Sequence, residues 1–112
     1  MMLNIKYKGR VYLSGPISGM DPERVKSAFM RACRLLESMS DVEIVTPLKN
    51  GLPPTASWEQ HMDVDLALLK ACDNICLLPG WETSRGCRKE VHYAIEQGIN
   101  IVVMPPNFMV EP

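Results

Sequence analysis

A chain of 112 residues, 46% of them hydrophobic and 22% charged, has the makeup of one soluble globular domain and is too short to hold two. Twelve Lys and Arg against thirteen Asp and Glu leave a net charge of −1, without the basic face that duplex nucleic acid or an anionic membrane rewards. The longest apolar runs are four residues, against the roughly 20 that span a bilayer, and the opening MMLNIKYKGRVYLSG has no unbroken apolar stretch before a small-residue cleavage site. Neither a membrane span nor a signal peptide is predicted. The four cysteines (Cys33, Cys72, Cys76 and Cys87) form no CxxC pair and sit among apolar residues, which predicts buried free thiols and a cytoplasmic protein.

Arg10-Val11-Tyr12-Leu13-Ser14 reads as a short strand that stops at Gly15-Pro16. Asp21-Pro22-Glu23 is a helix start, with Asp as cap and Pro in the first turn. From there Val25, Ala28, Phe29, Ala32, Leu35, Leu36 and Met39 recur at three- and four-residue spacing, one stripe of an amphipathic helix. Val42-Glu43-Ile44-Val45 reads as a second strand. The stretch 46–57 carries Pro47, Gly51, Pro53 and Pro54 and is predicted to be a long loop, a kind of segment that is often functional.

A second helix is predicted over 58–71, capped by Ser57, with Met62, Leu66 and Leu69 on its apolar face. Residues 74–78 read as a buried strand ending at Pro79-Gly80. A third helix begins near Ser84-Arg85-Gly86 and ends at Gly98, and Ile101-Val102-Val103-Met104 is the last strand. The order β-α-β-α-β-α-β predicts an α/β protein with one domain over 1–112. Its architecture is a flavodoxin- or Rossmann-like three-layer sandwich around a parallel sheet of about four strands, ordered 2-1-3-4 through right-handed crossovers. Such sheets bind ligands beyond the carboxyl ends of the strands. That places the site at Gly15 to Gly19, the proline-rich loop and the stretch 80–86.

Glu90 falls in an early turn of the third helix, where the dipole and free N–H groups favour a carboxylate over the acid. An ionised carboxylate there suits nucleophilic attack on a sugar-like carbon, but position alone favours a residue that only satisfies the helix end. Asp63 and Asp65 are two apart and point to different sides of their helix. Asp65 is also four residues from His61, but no third ligand follows at metal spacing, and neither a metal nor a cofactor is predicted. Ser84, Arg85 and Gly86 combine hydroxyl, guanidinium and free amides, a start suited to an anion. The loop Gly15-Pro16-Ile17-Ser18-Gly19 has neither a GxGxxG nor a GxxxxGK[ST] pattern.

Taken together, these pieces resemble a known family. Tyr12-Leu13-Ser14-Gly15-Pro16-Ile17-Ser18-Gly19 is similar to the opening strand and loop of the nucleoside 2-deoxyribosyltransferase-like superfamily. Val64-Asp65-Leu66, Ala71-Cys72-Asp73, Ser84-Arg85-Gly86, Glu90-Val91, Ala94 and Gly98 resemble its second signature, in order and with similar spacing. The resemblance implies that Glu90 attacks C1′ of the sugar, that Tyr12 orients it and that Asp65 handles the proton on the departing base. It also implies substrate contacts from Gly15, Pro16, Ile17, Ser18, Gly19, Ser84, Arg85 and Gly86. Ser84 stands where the transferases carry a second aspartate and the 2′-deoxynucleoside 5′-monophosphate N-hydrolases carry a phosphate-binding serine. Ser18 replaces an arginine usual in those hydrolases, so Arg85 or Arg24 would have to supply that charge, and Val91-His92-Tyr93 replaces the usual Leu-Gly. The implied partner is a nucleoside or nucleotide. A small open site needs a second subunit to exclude water, and apolar side chains on the second helix and around Trp58 offer surface for one, which predicts a homodimer or larger oligomer.

Overall fold

The computed structural model describes residues 9–39 and 41–106. The stretch 1–8, most of the segment weighed above as a targeting signal, lies outside them, as does the far end of the domain expected over 1–112. The elements run β1 (Arg10–Ser14), α1 (Pro22–Met39), β2 (Glu43–Val45), α2 (Trp58–Lys70), β3 (Asn74–Leu77), α3 (Arg85–Gln97) and β4 (Asn100–Val103). The strands form one sheet in the order β2-β1-β3-β4, with every pairing parallel, as predicted. Two short 3-10 turns, Pro47–Lys49 and Trp81–Thr83, interrupt the long loops; the first starts at Thr46, whose hydroxyl accepts from the Leu48 N–H. No helix among the described residues is long and apolar enough to cross a membrane.

The handedness of the crossovers fixes the layers. From β1 the chain crosses to β2 on one side, then returns past β1 to β3, so α1 lies on one face and α2 and α3 on the other. Side-chain alternation along β1 follows from this. Val11 and Leu13 face α1, packing with its Val25, Phe29, Ala32 and Leu36 and with Cys76, Leu78, Val102 and Met104. Tyr12 faces the other way, into a cluster with Leu69, Cys72, Ile75, Leu77 and Ala94. Ser14, two residues on, shares the face of Tyr12.

Strand ends differ from the sequence reading by a residue, for reasons set by register. Arg10 pairs with Glu43, so Val42 stays outside the ladder and packs half-buried against the α1 cluster. Asn100 pairs with Asn74 and its side-chain Nδ2 donates to the side-chain Oδ1 of Asn74 at 2.8 Å, drawing β4 one residue earlier. At the same amino end, Asp73 accepts from the Arg10 N–H at 3.0 Å through its carboxylate and from the Asn100 N–H at 3.1 Å through its backbone carbonyl. The helices are capped as their sequences require. Ser57 and Gln60 form a reciprocal capping box at α2, Ser84 accepts from the Cys87 N–H at α3, and Gly98 ends α3 at φ 70°.

Candidate functional site

The carboxyl ends of β1 and β3 are neighbours, and the loops that leave them pack on one another. A side chain at Gly15 would meet Leu78 Cδ1 at 2.9 Å and the Phe29 ring at 3.2 Å. Gly80 takes a left-handed φ of 92°, and a Cβ there would stand 3.1 Å from the Pro16 ring. Gly15 and Pro16 are therefore held by packing, whereas Ile17, Ser18 and Gly19 are exposed in the loop beyond β1 and form its rim.

Beneath this rim, β1 and α3 meet at a carboxyl group. Glu90 is 4% exposed, and the Tyr12 hydroxyl donates to its Oε2 while the Ser14 hydroxyl donates to its Oε1 at 2.7 Å. Both donors are themselves fully buried. Burial pushes the Glu90 carboxyl up to about 7, partly opposed by these two hydroxyls and reinforced by the charge of Asp65. The ionised, dipole-stabilised carboxylate expected from its early position in the helix is thus corrected. Glu90 sits in the second turn of α3, whereas the dipole acts mainly on the first and supplies at most about 2 kcal/mol even in partly buried geometries. Desolvation is larger and acts the other way. Burial and the neighbouring carboxylate raise the Tyr12 phenol well above its ordinary value, so it remains a donor throughout the neutral range.

Asp65 projects from α2 and is buried, while Asp63 is exposed, as their spacing predicts. Burial raises the Asp65 carboxyl, and a hydrogen bond from Asn50 and the proximity of His61 oppose that rise. Asn50 belongs to the proline-rich loop. Its Nδ2 donates to Asp65 Oδ1 at 3.0 Å and lies 2.9 Å from His61 Nδ1, while its Oδ1 accepts from the Leu52 N–H at 3.0 Å. His61 Nε2 lies 3.2 Å from the Pro53 carbonyl. A carbonyl can only accept, so Nε2 carries the proton and Nδ1 accepts from Asn50.

The start of α3 is less free than its sequence suggests. The Ser84 hydroxyl accepts from the Cys87 N–H at 3.2 Å and also meets the Cys87 thiol. The Arg85 guanidinium lies over the Trp58 ring, 3.8 Å from its centre, with the Lys89 ammonium at 5.4 Å. Gly86 faces α2 with ordinary room for a side chain: a Cβ there would meet Met62 Sδ at 3.4 Å and Trp58 Nε1 at 3.9 Å. Trp58 is thus covered by cations, and among the described residues the exposed large apolar side chains are Ile17, Met20, Met30, Leu48, Ile95 and Val103 instead. The cysteines are free thiols, three buried and Cys33 half-buried. Cys87 touches the hydroxyls of Ser14 and Ser84, and burial raises its thiol, so it packs beside the carboxyl group as a neutral residue. Among the described residues no three His, Cys, Asp or Glu side chains gather into a metal-ligand set.

Ser14 and Asn50 are the contacts that the motifs did not single out. Strand alternation was the available signal for Ser14, because residues two apart on β1 share a face. For Asn50 the sequence offered only a turn-forming residue in a proline-rich loop.

The sequence from residue 9 to 103 matches one family model, described as a domain of unknown function, DUF4406. The chain belongs to the DUF4406 family. No curated protein matches it in sequence. In structure, this DUF4406 chain is similar to a 2-desoxiribosyltransferase from Leishmania mexicana, with a TM-score of 0.61 at 20% identity over 86% of this chain and 63% of that one. It is similar to the same degree to a conserved protein from Enterococcus faecalis V583, with a TM-score of 0.61 at 19% identity over 85% of this chain and 62% of that one. The chain thus spans somewhat less than two-thirds of the length of either structure. The fold of this DUF4406 member is that of the nucleoside 2-deoxyribosyltransferase-like proteins, as its two motifs indicate.

Proposed function

We propose that the protein cleaves the N-glycosidic bond of a nucleoside 5′-monophosphate or nucleoside, with Glu90 as nucleophile and water as acceptor. The observation that carries this reading is the Glu90 carboxyl, buried at the carboxyl end of the sheet and hydrogen-bonded on both oxygens by Tyr12 and Ser14. A carboxylate held this way keeps a free lone pair aimed by two fixed hydroxyls, and its raised proton affinity makes it a stronger nucleophile once ionised. The fold shared with the deoxyribosyltransferase supports the same chemistry.

In the first half-reaction, an ionised Glu90 oxygen bonds to C1′ as the C1′–N bond breaks, and its electron pair leaves with the base. Asp65, in its acid form, gives that base a proton. Burial pushes both carboxyl groups up, and the productive arrangement has the proton on Asp65 and the charge on Glu90. In the second half-reaction, a water oxygen bonds to C1′, the ester bond to Glu90 breaks and the water's proton returns to Asp65. A transferase would use a second base in place of this water. Ser84, standing where the transferases carry a carboxylate, favours the hydrolytic version.

The direct test is release of free base from a panel of nucleosides, deoxynucleosides and their 5′-monophosphates, followed by chromatography. No base from any of them would end the proposal. Ser84→Ala is expected to raise KM for the monophosphates by about tenfold, the worth of one hydrogen bond to a charged group, and to leave nucleosides nearly unchanged. The same variant loses the α3 cap and should unfold about 1 kcal/mol more easily. Equal effects on phosphorylated and unphosphorylated substrates would reduce Ser84 to its capping role.

A further inference from the structure

The proline-rich loop meets α2 through the Asn50 side chain, and all the polar atoms of that side chain are engaged. Its carbonyl oxygen accepts from the Leu52 N–H, which sets the amide's orientation and leaves both amide hydrogens for α2. One hydrogen goes to His61 Nδ1 and the other to Asp65 Oδ1, at 2.9 and 3.0 Å. The two acceptors are four residues apart on α2, so they lie on one helix face and a single amide spans them. His61 is in turn fixed by its Nε2–H on the Pro53 carbonyl of the same loop. The loop therefore grips α2 at two points, the Asn50 amide and the Pro53 carbonyl, and the amide has no alternative pose that keeps its partners. Turning it over would set the carbonyl against the Asp65 carboxylate and an N–H₂ against the Leu52 N–H.

We propose that Asn50 is a positioning residue for Asp65, holding its carboxyl towards the Tyr12–Ser14–Glu90 group and stabilising the negative charge it carries once its proton has gone to the departing base. This rests on the reading of Asp65 as the proton donor. Asn50 can only donate at Asp65, so it binds the carboxylate better than the acid and helps most as the proton leaves. His61 acts through Asn50: as the acceptor at Nδ1 it prevents the amide from swinging away.

The test compares two substrates that differ in their need for a proton. A purine deoxynucleoside, in the phosphorylation state the wild type prefers, needs its base protonated on departure. Its N7-methylated counterpart releases a base that leaves neutral without one. Asp65→Asn is expected to slow the first far more than the second. Asn50→Ala should follow the same pattern in smaller measure, lowering kcat for the unmethylated substrate by roughly 10- to 100-fold with KM little changed, and changing the methylated substrate by less than about threefold. His61→Asn, whose side-chain oxygen stands near the place of Nδ1, should recover most of the activity that His61→Leu loses. A second readout needs no turnover. Carbon-13 NMR of the Asp65 carboxyl should show its titration midpoint moving up in Asn50→Ala, because a donor to the charged form is gone.

The inference is overturned if Asp65→Asn separates the two substrates and Asn50→Ala does not, or if the Asp65 midpoint stays where it was. If Asp65→Asn itself slows both substrates alike, the proton-donor reading fails, and the inference goes with it.

Discussion

Glu90→Gln should fold, release base at least about a thousandfold more slowly than the parent, and be the more stable protein at pH 8. The loss of activity follows from the chemistry, since an amide forms no glycosyl ester with C1′. The gain in stability follows from burial. The folded carboxyl binds its proton more tightly than the unfolded one, at about 7 against an ordinary 4.5. Between those values the folded state holds a proton that the unfolded state has lost, so this group's stabilisation is complete below about pH 4.5 and gone above about pH 7. The difference is on the order of 3 kcal/mol. Glutamine carries no charge to desolvate and still meets the two hydroxyls, one as donor and one as acceptor. Urea unfolding at pH 5 and pH 8 reads the effect: the parent should lose stability between them, and the variant should lose markedly less. Parallel losses in the two proteins would show that Glu90 is not the buried group that titrates.

Removing the hydroxyls tests the same carboxyl from the other side. Tyr12→Phe and Ser14→Ala each delete a donor that favours ionised Glu90, without removing the ring or opening more than a small space. A hydrogen bond to a charged group is worth about 1.5–3 kcal/mol, or one to two pH units. The acidic limb of kcat/KM against pH, which reports the free enzyme, should move up by about one unit or more in each variant. At pH 6 the variants should run roughly tenfold below the parent, and by pH 9 much of the difference should close. The double variant should move further than either. A uniform loss at all pH values, with the limb unmoved, would mean that the hydroxyls act on the substrate and not on Glu90.

Most of the fold was legible because its signals are local and repeated. The stripe from Val25 to Leu36 could only be a helix with one buried face, and four short apolar runs between helices leave few topologies once crossovers must be right-handed. Strand ends were off by a residue because register is a pairwise property: nothing in Val42 says that Arg10 will pair with Glu43 instead. The site divided along the same line. Tyr12, Asp65 and Glu90 stand out within their motifs, but the state of Glu90 was misread because the local helix end is visible in sequence and the depth of burial is not. Asn50 and His61 lie 11 positions apart, and only the folded path of the loop makes them neighbours.

The Tyr12–Glu90 contact joins residues 78 positions apart, and Ser14–Glu90 joins residues 76 apart. Nothing between β1 and α3 can assemble this group alone, because the first strand must wait for β3 to pair beside it and for α3 to dock. Loop closure over such a span is entropically costly and comes late in building parallel sheets. A chain emerging from the ribosome therefore holds β1, α1 and β2 for some time with the Tyr12 and Ser14 hydroxyls still wet. The Glu90 carboxyl meets both hydroxyls only once α3 has docked on the sheet, so a chain stalled before that point lacks this buried group altogether.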